Sequence, residues 1–156
     1  MDQLPLYISN NFIEWGMKNG EEITPLKLQK LLYLYYARYC YLIGKRPFED
    51  CFVRWKHGPV VESIYHTTKH FGARPLTPLH NSEGSIIKMA PAAEPFCSVF
   101  QDVVQQFGKT PARELVELTH GAGKPNYKTA WEKAQDNSRL DTLDIKKDGE
   151  VLFEKR

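Results

Sequence analysis

His66 and His70 stand four residues apart, a spacing that sets two imidazoles on one helical face and can hold zinc. Thr67, Thr68 and Lys69 run between them. No glutamate therefore sits beside the first histidine to act as a base, and Lys69 sets a positive charge against any cation. The pair reads as two exposed helix histidines. Gly121-Ala122-Gly123-Lys124 has the look of a phosphate-cradling loop, but the position five before Gly123 is Leu118. Pro125 also takes the place of the Ser or Thr that would bind magnesium. It reads as a plain loop. His57 precedes Gly58-Pro59, where the positive end of a helix could serve an anion ligand or a general base. A turn histidine bonded to backbone is the simpler reading. No acid or nucleophile stands at a spacing that completes a catalytic group. Cys51 and Cys97 read as apolar core members. The residues point to no catalytic set, no metal site and no cofactor, and so to a protein that is not an enzyme.

The remaining composition is that of an ordinary globular chain. It has 156 residues, 42% hydrophobic and 26% charged. A chain of this length suits one domain, here 1–156, and buries roughly 70% of its unfolded surface. The three cysteines, Cys40, Cys51 and Cys97, are odd in number and widely spaced. That excludes a disulfide framework and points to a reducing cytoplasm. No basic-then-apolar leader opens the sequence, and no apolar run is long enough to cross a bilayer. Net charge is +2 but uneven: nine Lys or Arg face three acids between Lys27 and Arg74. A basic excess of this kind favours an acidic partner. It also fits the solvated rim of a hydrophobic module, since the aromatics here sit at core spacing. Nucleic acid is not the expected partner, because no polar, basic recognition helix stands out.

The element that must organise the rest is a helix over about 24–43. Thr24 is a good N-cap, Pro25 fits the first helical position and Gly44 marks the stop. Leu28, Leu31, Leu32, Tyr35, Tyr39 and Leu42 make one face, and Leu26, Tyr33, Tyr36, Cys40 and Ile43 cover much of the remainder. A helix apolar nearly all round is surrounded by other elements. The fold is therefore expected to be mainly α, one compact helical domain around this buried helix with a small antiparallel β element. Lys27, Lys30, Arg38 and Lys45 are expected to reach water along their stems.

A first helix is predicted over Leu6–Asn19, ended by Gly20. A turn at 45–50 leads to an extended run, Cys51–Trp55. Gly58-Pro59 is read as the start of a further helix that ends at Gly72. Residues 73–91 read as a connection with a small hairpin, turning at Asn81–Gly84 and returning along Ser85–Met89. Helices follow over Glu94–Phe107, from Thr110-Pro111 to about Thr119, and over Tyr127–Gln135. In the tail, 141–156, Asp148-Gly149 favours a hairpin pairing Leu143–Ile145 with Val151–Phe153. A frayed helix is the competing reading.

The run Thr24-Pro25-Leu26-Lys27-Leu28-Gln29-Lys30-Leu31-Leu32-Tyr33 resembles the opening of the Panacea domain, the antitoxin SocA-like family once known as a domain of unknown function. Trp55-Lys56-His57-Gly58-Pro59-Val60 is similar to its Trp and Gly-Pro-Val motif, with Tyr65 and Phe71 following. Glu114-Leu115, Leu118-Thr119-His120 and Trp131 look like its later feature, with Ala130-Trp131 where Pro-Trp is usual. The resemblance spans about 12–134. It implies an antitoxin of a toxin-antitoxin system, bacterial or phage, that neutralises a cognate protein toxin by direct contact. Such toxins are often translation inhibitors. The alternative it implies is a proteolytic adaptor that delivers the toxin to ClpXP, with ClpX as a second partner.

On this reading the partner-binding residues are Lys27, Lys30, Arg54, Lys56 and His57, on the solvent side of the basic module. Leu28, Leu31, Tyr33, Trp55, Gly58, Pro59, Val60 and Trp131 are structural motif residues. Tyr33, Trp55, Tyr65 and Trp131 are expected in the core.

Overall fold

The structure, a computed structural model, describes residues 2–154. Met1, Lys155 and Arg156, the ends of the 1–156 assignment and of the tail, lie outside the described residues. The fold is built on helix α2 (Pro25–Ile43), which is capped as its sequence predicts: the Thr24 hydroxyl accepts from the Lys27 N–H, Pro25 opens it and Gly44 ends it. Leu28, Leu31, Leu32, Tyr33, Leu34 and Ala37 are all fully buried. Around α2 pack α1 (Leu4–Asn19), α4 (Phe96–Phe107), α5 (Ala112–Thr119) and α7 (Thr142–Val151). Two shorter helices, α3 (Glu62–Thr68) and α6 (Ala130–Lys133), complete the set, with one 3-10 turn at Lys69–Phe71. The fold is thus mainly helical, with a small two-stranded antiparallel element, as expected.

That element is a hairpin of β1 (Val53–Trp55) and β2 (Gly58–Val60), paired Val53 to Val60 and Trp55 to Gly58. Gly58-Pro59 is therefore a strand and not the predicted helix start; the helix begins at Glu62. The outer edge of β1 is covered by the chain after α6. The Arg54 N–H donates to the Ser138 carbonyl at 2.9 Å, and the Leu140 N–H donates to that of Phe52 at 2.9 Å. No β1 edge is left open for pairing on that side.

Residues 73–91 make the expected turn, with the Asn81 N–H donating to the Ser85 carbonyl, but Ser85–Met89 forms no strand. Two asparagines of α1 hold this stretch instead. Asn10 binds both backbone groups of Leu79 and the carbonyl of Ile87, and Asn11 binds both backbone groups of Met89. The returning leg spends its polar backbone groups on side chains, which is why it needs no partner strand.

The tail is a helix, not a hairpin. Asp141 caps α7 by accepting from the Asp144 N–H. Asp148 and Gly149, read as a turn, are both buried against α2. A Cβ at Gly149 would overlap the Ala37 carbonyl, so only glycine lets α7 approach this closely. Asp148 accepts from the hydroxyls of Tyr33 and Tyr127, each at 2.5 Å, and from the Ala130 N–H. Burial raises the Asp148 carboxyl to about 6, against the opposing pull of those three donors.

Other helices differ from their predicted bounds: α1 starts at Leu4, before the predicted Leu6, and α4 at Phe96, after the predicted Glu94. The helix after Thr110-Pro111 starts at Ala112. The predicted Tyr127–Gln135 helix is only Ala130–Lys133, set by a capping box in which Thr129 and Glu132 bond reciprocally.

Candidate partner-binding groove

Three elements enclose a groove of about 370 Å³ on the hairpin side of the fold. The first turn and a half of α2 gives one wall through Pro25, Leu26, Gln29 and Lys30, two adjacent pairs four residues apart on one helical face. The α3 helix and its 3-10 extension give the second through Tyr65, Thr68, Lys69 and Gly72, again at helical spacing. The hairpin closes the end with Trp55, Lys56, His57 and Val60. The Trp55 and Tyr65 rings meet edge to face with centroids 4.8 Å apart, so the hairpin wall and the α3 wall are in contact.

The polar groups at the floor turn away from the groove. The Gln29 side chain donates to the Val61 carbonyl at 3.0 Å and accepts from its N–H at 2.9 Å. Lys30 Nζ donates to the Pro59 carbonyl at 2.6 Å. Both clamp β2 to α2, and with their polar ends engaged the groove bottoms out on apolar atoms. Gly58 has φ +112°, and a Cβ there would meet Lys30 Nζ at 2.7 Å and Thr119 Oγ1 at 2.9 Å. The glycine is thus required twice, by its backbone and by the lysine beneath it.

Behind β1, Arg54 organises the opposite face. Its guanidinium lies over the Trp131 ring at 3.9 Å, donates to the carbonyls of Trp131 and Ala134, and pairs with Asp136 at 3.3 Å. The Trp131 indole donates to the Trp55 carbonyl at 2.8 Å. His120 stacks on the other aromatic surface with centroids 3.7 Å apart, and its Nε2 is buried with no bonding partner among the described residues. Burial, then the positive charges of Lys30, Arg54 and His57, holds the His120 imidazole below its ordinary value.

The five residues read as partner-binding separate into two groups. Lys56 and His57 form the exposed two-residue hairpin turn. Lys27, Lys30 and Arg54 do not stand on the solvent side as expected. Lys30 is fully buried, and burial alone lowers its amine to about 7. Lys27 is 4% exposed and sits 3.6 Å from Glu21, its pKa lowered by burial against the pull of that acid. Arg54 is half-buried on Trp131. Lys30 is held against β2, Lys27 beside Glu21 of the loop before α2, and Arg54 on Trp131. Of the structural motif residues, Leu28, Leu31, Tyr33, Gly58, Pro59 and Val60 are buried, while Trp55 and Trp131 are half-buried. Tyr65, expected in the core, is exposed as a groove wall.

Sequence reasoning missed Leu26, Tyr65 and Lys69 as surface residues of one site. The Tyr65–Lys69 step and the Leu26–Lys30 step each mark a shared face, but only tertiary packing turns the two faces toward each other.

Among the described residues, no group of His, Cys, Asp and Glu could hold a metal, and no helix is long and apolar enough to cross a membrane. No curated protein and no solved structure matches the chain. The family model of the antitoxin SocA-like, Panacea domain matches residues 28–125, which take in most of α2, the hairpin with its Trp55 and Gly58-Pro59-Val60 motif, and α3 to α5. That segment is more than half of the chain and holds most of the groove, so the protein belongs to the antitoxin SocA-like, Panacea domain family.

Proposed function

We propose that the protein is the antitoxin of a toxin-antitoxin pair and neutralises a cognate protein toxin by direct binding. Membership of the antitoxin SocA-like family is the observation that carries this reading. The groove supports it physically. Its walls are apolar, its turn is basic, and its buried polar groups are committed to holding the scaffold. Such a surface can cover a partner by shape and charge without making or breaking bonds. The domain acts on this reading as one body in the cytoplasm, and the toxin is of the translation-inhibiting kind. Co-expression with the product of the adjacent open reading frame tests it. Growth rescue together with a co-purifying complex is the expected result; a harmless neighbour, or rescue with no complex, overturns it. Toxin half-life separates blocking from delivery to ClpXP: blocking persists in cells lacking the protease and leaves the toxin intact.

A further inference from the structure

The groove has an asymmetry of charge that goes beyond its being a contact surface. Lys30, Lys56, Lys69 and His57 line it, and no carboxylate does. Lys30 is spent on the Pro59 carbonyl. Lys56 and Lys69 are exposed, one on the hairpin end of the groove and one on the α3 wall, and make no ion pair among the described residues. Elsewhere on the molecule Lys18, Lys88, Lys133 and Lys147 are each matched by an acid, while others, Lys109 and Lys128 among them, make no ion pair among the described residues, so it is the absence of any lining carboxylate that sets the groove apart. The same groove presents exposed apolar side chains, Leu26 at 38% and Tyr65 at 39%.

Resting on the reading that this protein works by binding a partner protein, we infer that the Leu26–Trp55–Tyr65 groove receives an acidic segment of that partner carrying one large apolar side chain. The apolar side chain fills the space between Leu26, Trp55 and Tyr65. Carboxylates on either side of it meet Lys56 and Lys69. The volume sits at the lower end of the range of about 300–1,000 Å³ that ligand clefts occupy, which suits one anchored side chain and not a long helix. An apolar anchor supplies affinity, while the unpaired rim charges supply steering and orientation. A nucleic acid fits less well. Its affinity comes from many phosphate contacts in a continuous basic stripe, and here two exposed lysines and one histidine flank an apolar floor.

The test uses the full chain, ¹⁵N-labelled, at neutral pH and low salt. Its probes are a synthetic peptide with one phenylalanine flanked by glutamates, the same peptide with glutamines, and a single-stranded oligothymidine. The glutamate peptide is expected to shift the amides of Leu26, Trp55, Lys56, Tyr65 and Lys69. The glutamine peptide should bind at least about tenfold more weakly. K56E/K69E should abolish the difference between the two peptides, and K109E/K128E, on exposed bases elsewhere, should preserve it. Equal binding of both peptides, shifts outside the groove, no binding, or displacement of the peptide by the oligothymidine each overturns the inference. The antitoxin reading fails separately. A toxin that still co-purifies with K56E/K69E at full yield leaves neutralisation standing and removes the groove. Peptide binding without a toxic neighbour leaves the groove and removes neutralisation.

Discussion

The ammonium of Lys30 lies 2.6 Å from the carbonyl oxygen of Pro59, twenty-nine residues further along the chain. This one bond ties the first turns of α2 to β2 at the floor of the groove. It places a fully buried amine where its charge is costly, which is why burial brings its pKa down to about 7.

That burial has a pH signature. Between the native value of about 7 and the unfolded value of about 10.4, the unfolded chain holds a proton at this amine that the native chain lacks. Stability then rises with pH across that window, by up to about 1.4 kcal/mol per pH unit. The buried tyrosines and Cys40, whose values are raised by burial, oppose this above pH 9. Urea unfolding at pH 7 and pH 9 should show the gain in the wild type and a flattened response in Lys30→Met. Equal slopes in the two proteins would refute the assignment.

Asp148 behaves in the opposite sense. Its native value of about 6 lies above the unfolded carboxylate range, so between pH 3.8 and 6 the native state holds the extra proton and stability falls as pH rises. The full effect is about 3 kcal/mol. Asp148→Asn should remove the slope between pH 4 and 6. Asp148→Ala should instead cost at least about 2 kcal/mol at every pH, because the buried Tyr33 hydroxyl and the half-buried Tyr127 hydroxyl lose their acceptor.

Gly149→Ala forces a methyl group into the Ala37 carbonyl. Overpacking against backbone should cost about 3 kcal/mol or more. Amide hydrogen exchange should report the loss first in α7, and a melting temperature equal to wild type would contradict the close approach of the two helices.

Arg54→Lys keeps the charge but cannot span the Trp131 ring and the two carbonyls beyond it. A loss of about 1–2 kcal/mol is expected, with a changed tryptophan emission spectrum from Trp131. Unchanged stability would mean that the planar contact contributes little.

What could be read from the chain alone was what local rules decide. Thr24, Pro25 and Gly44 bound α2 by capping chemistry, and the absence of any polar stripe announced its burial. The errors came from residues whose meaning is long-range. Gly58-Pro59 looks like a helix start because Pro favours one; its conformation is set by Lys30, which only folding brings beneath it. Asp148-Gly149 looks like a tight turn, yet the pair is a buried acceptor and a packing gap against a helix more than a hundred residues earlier. Lys27 and Lys30 were expected to reach water because lysine stems usually do, and nothing local says that Lys30 will be drawn under β2 or Lys27 buried beside Glu21. For the same reason the groove was only half visible: the hairpin bases were found, and Lys69 on the α3 wall was not.

Helix α7 lies beyond residue 125, outside the part matched by the family, although it fills one flank of α2. Cloning to the family footprint would keep the Trp55 and Gly58-Pro59-Val60 motif and discard this wedge. The bared leucines and tyrosines would then seek cover from neighbouring copies, so such a fragment is destined for inclusion bodies whatever its power to bind.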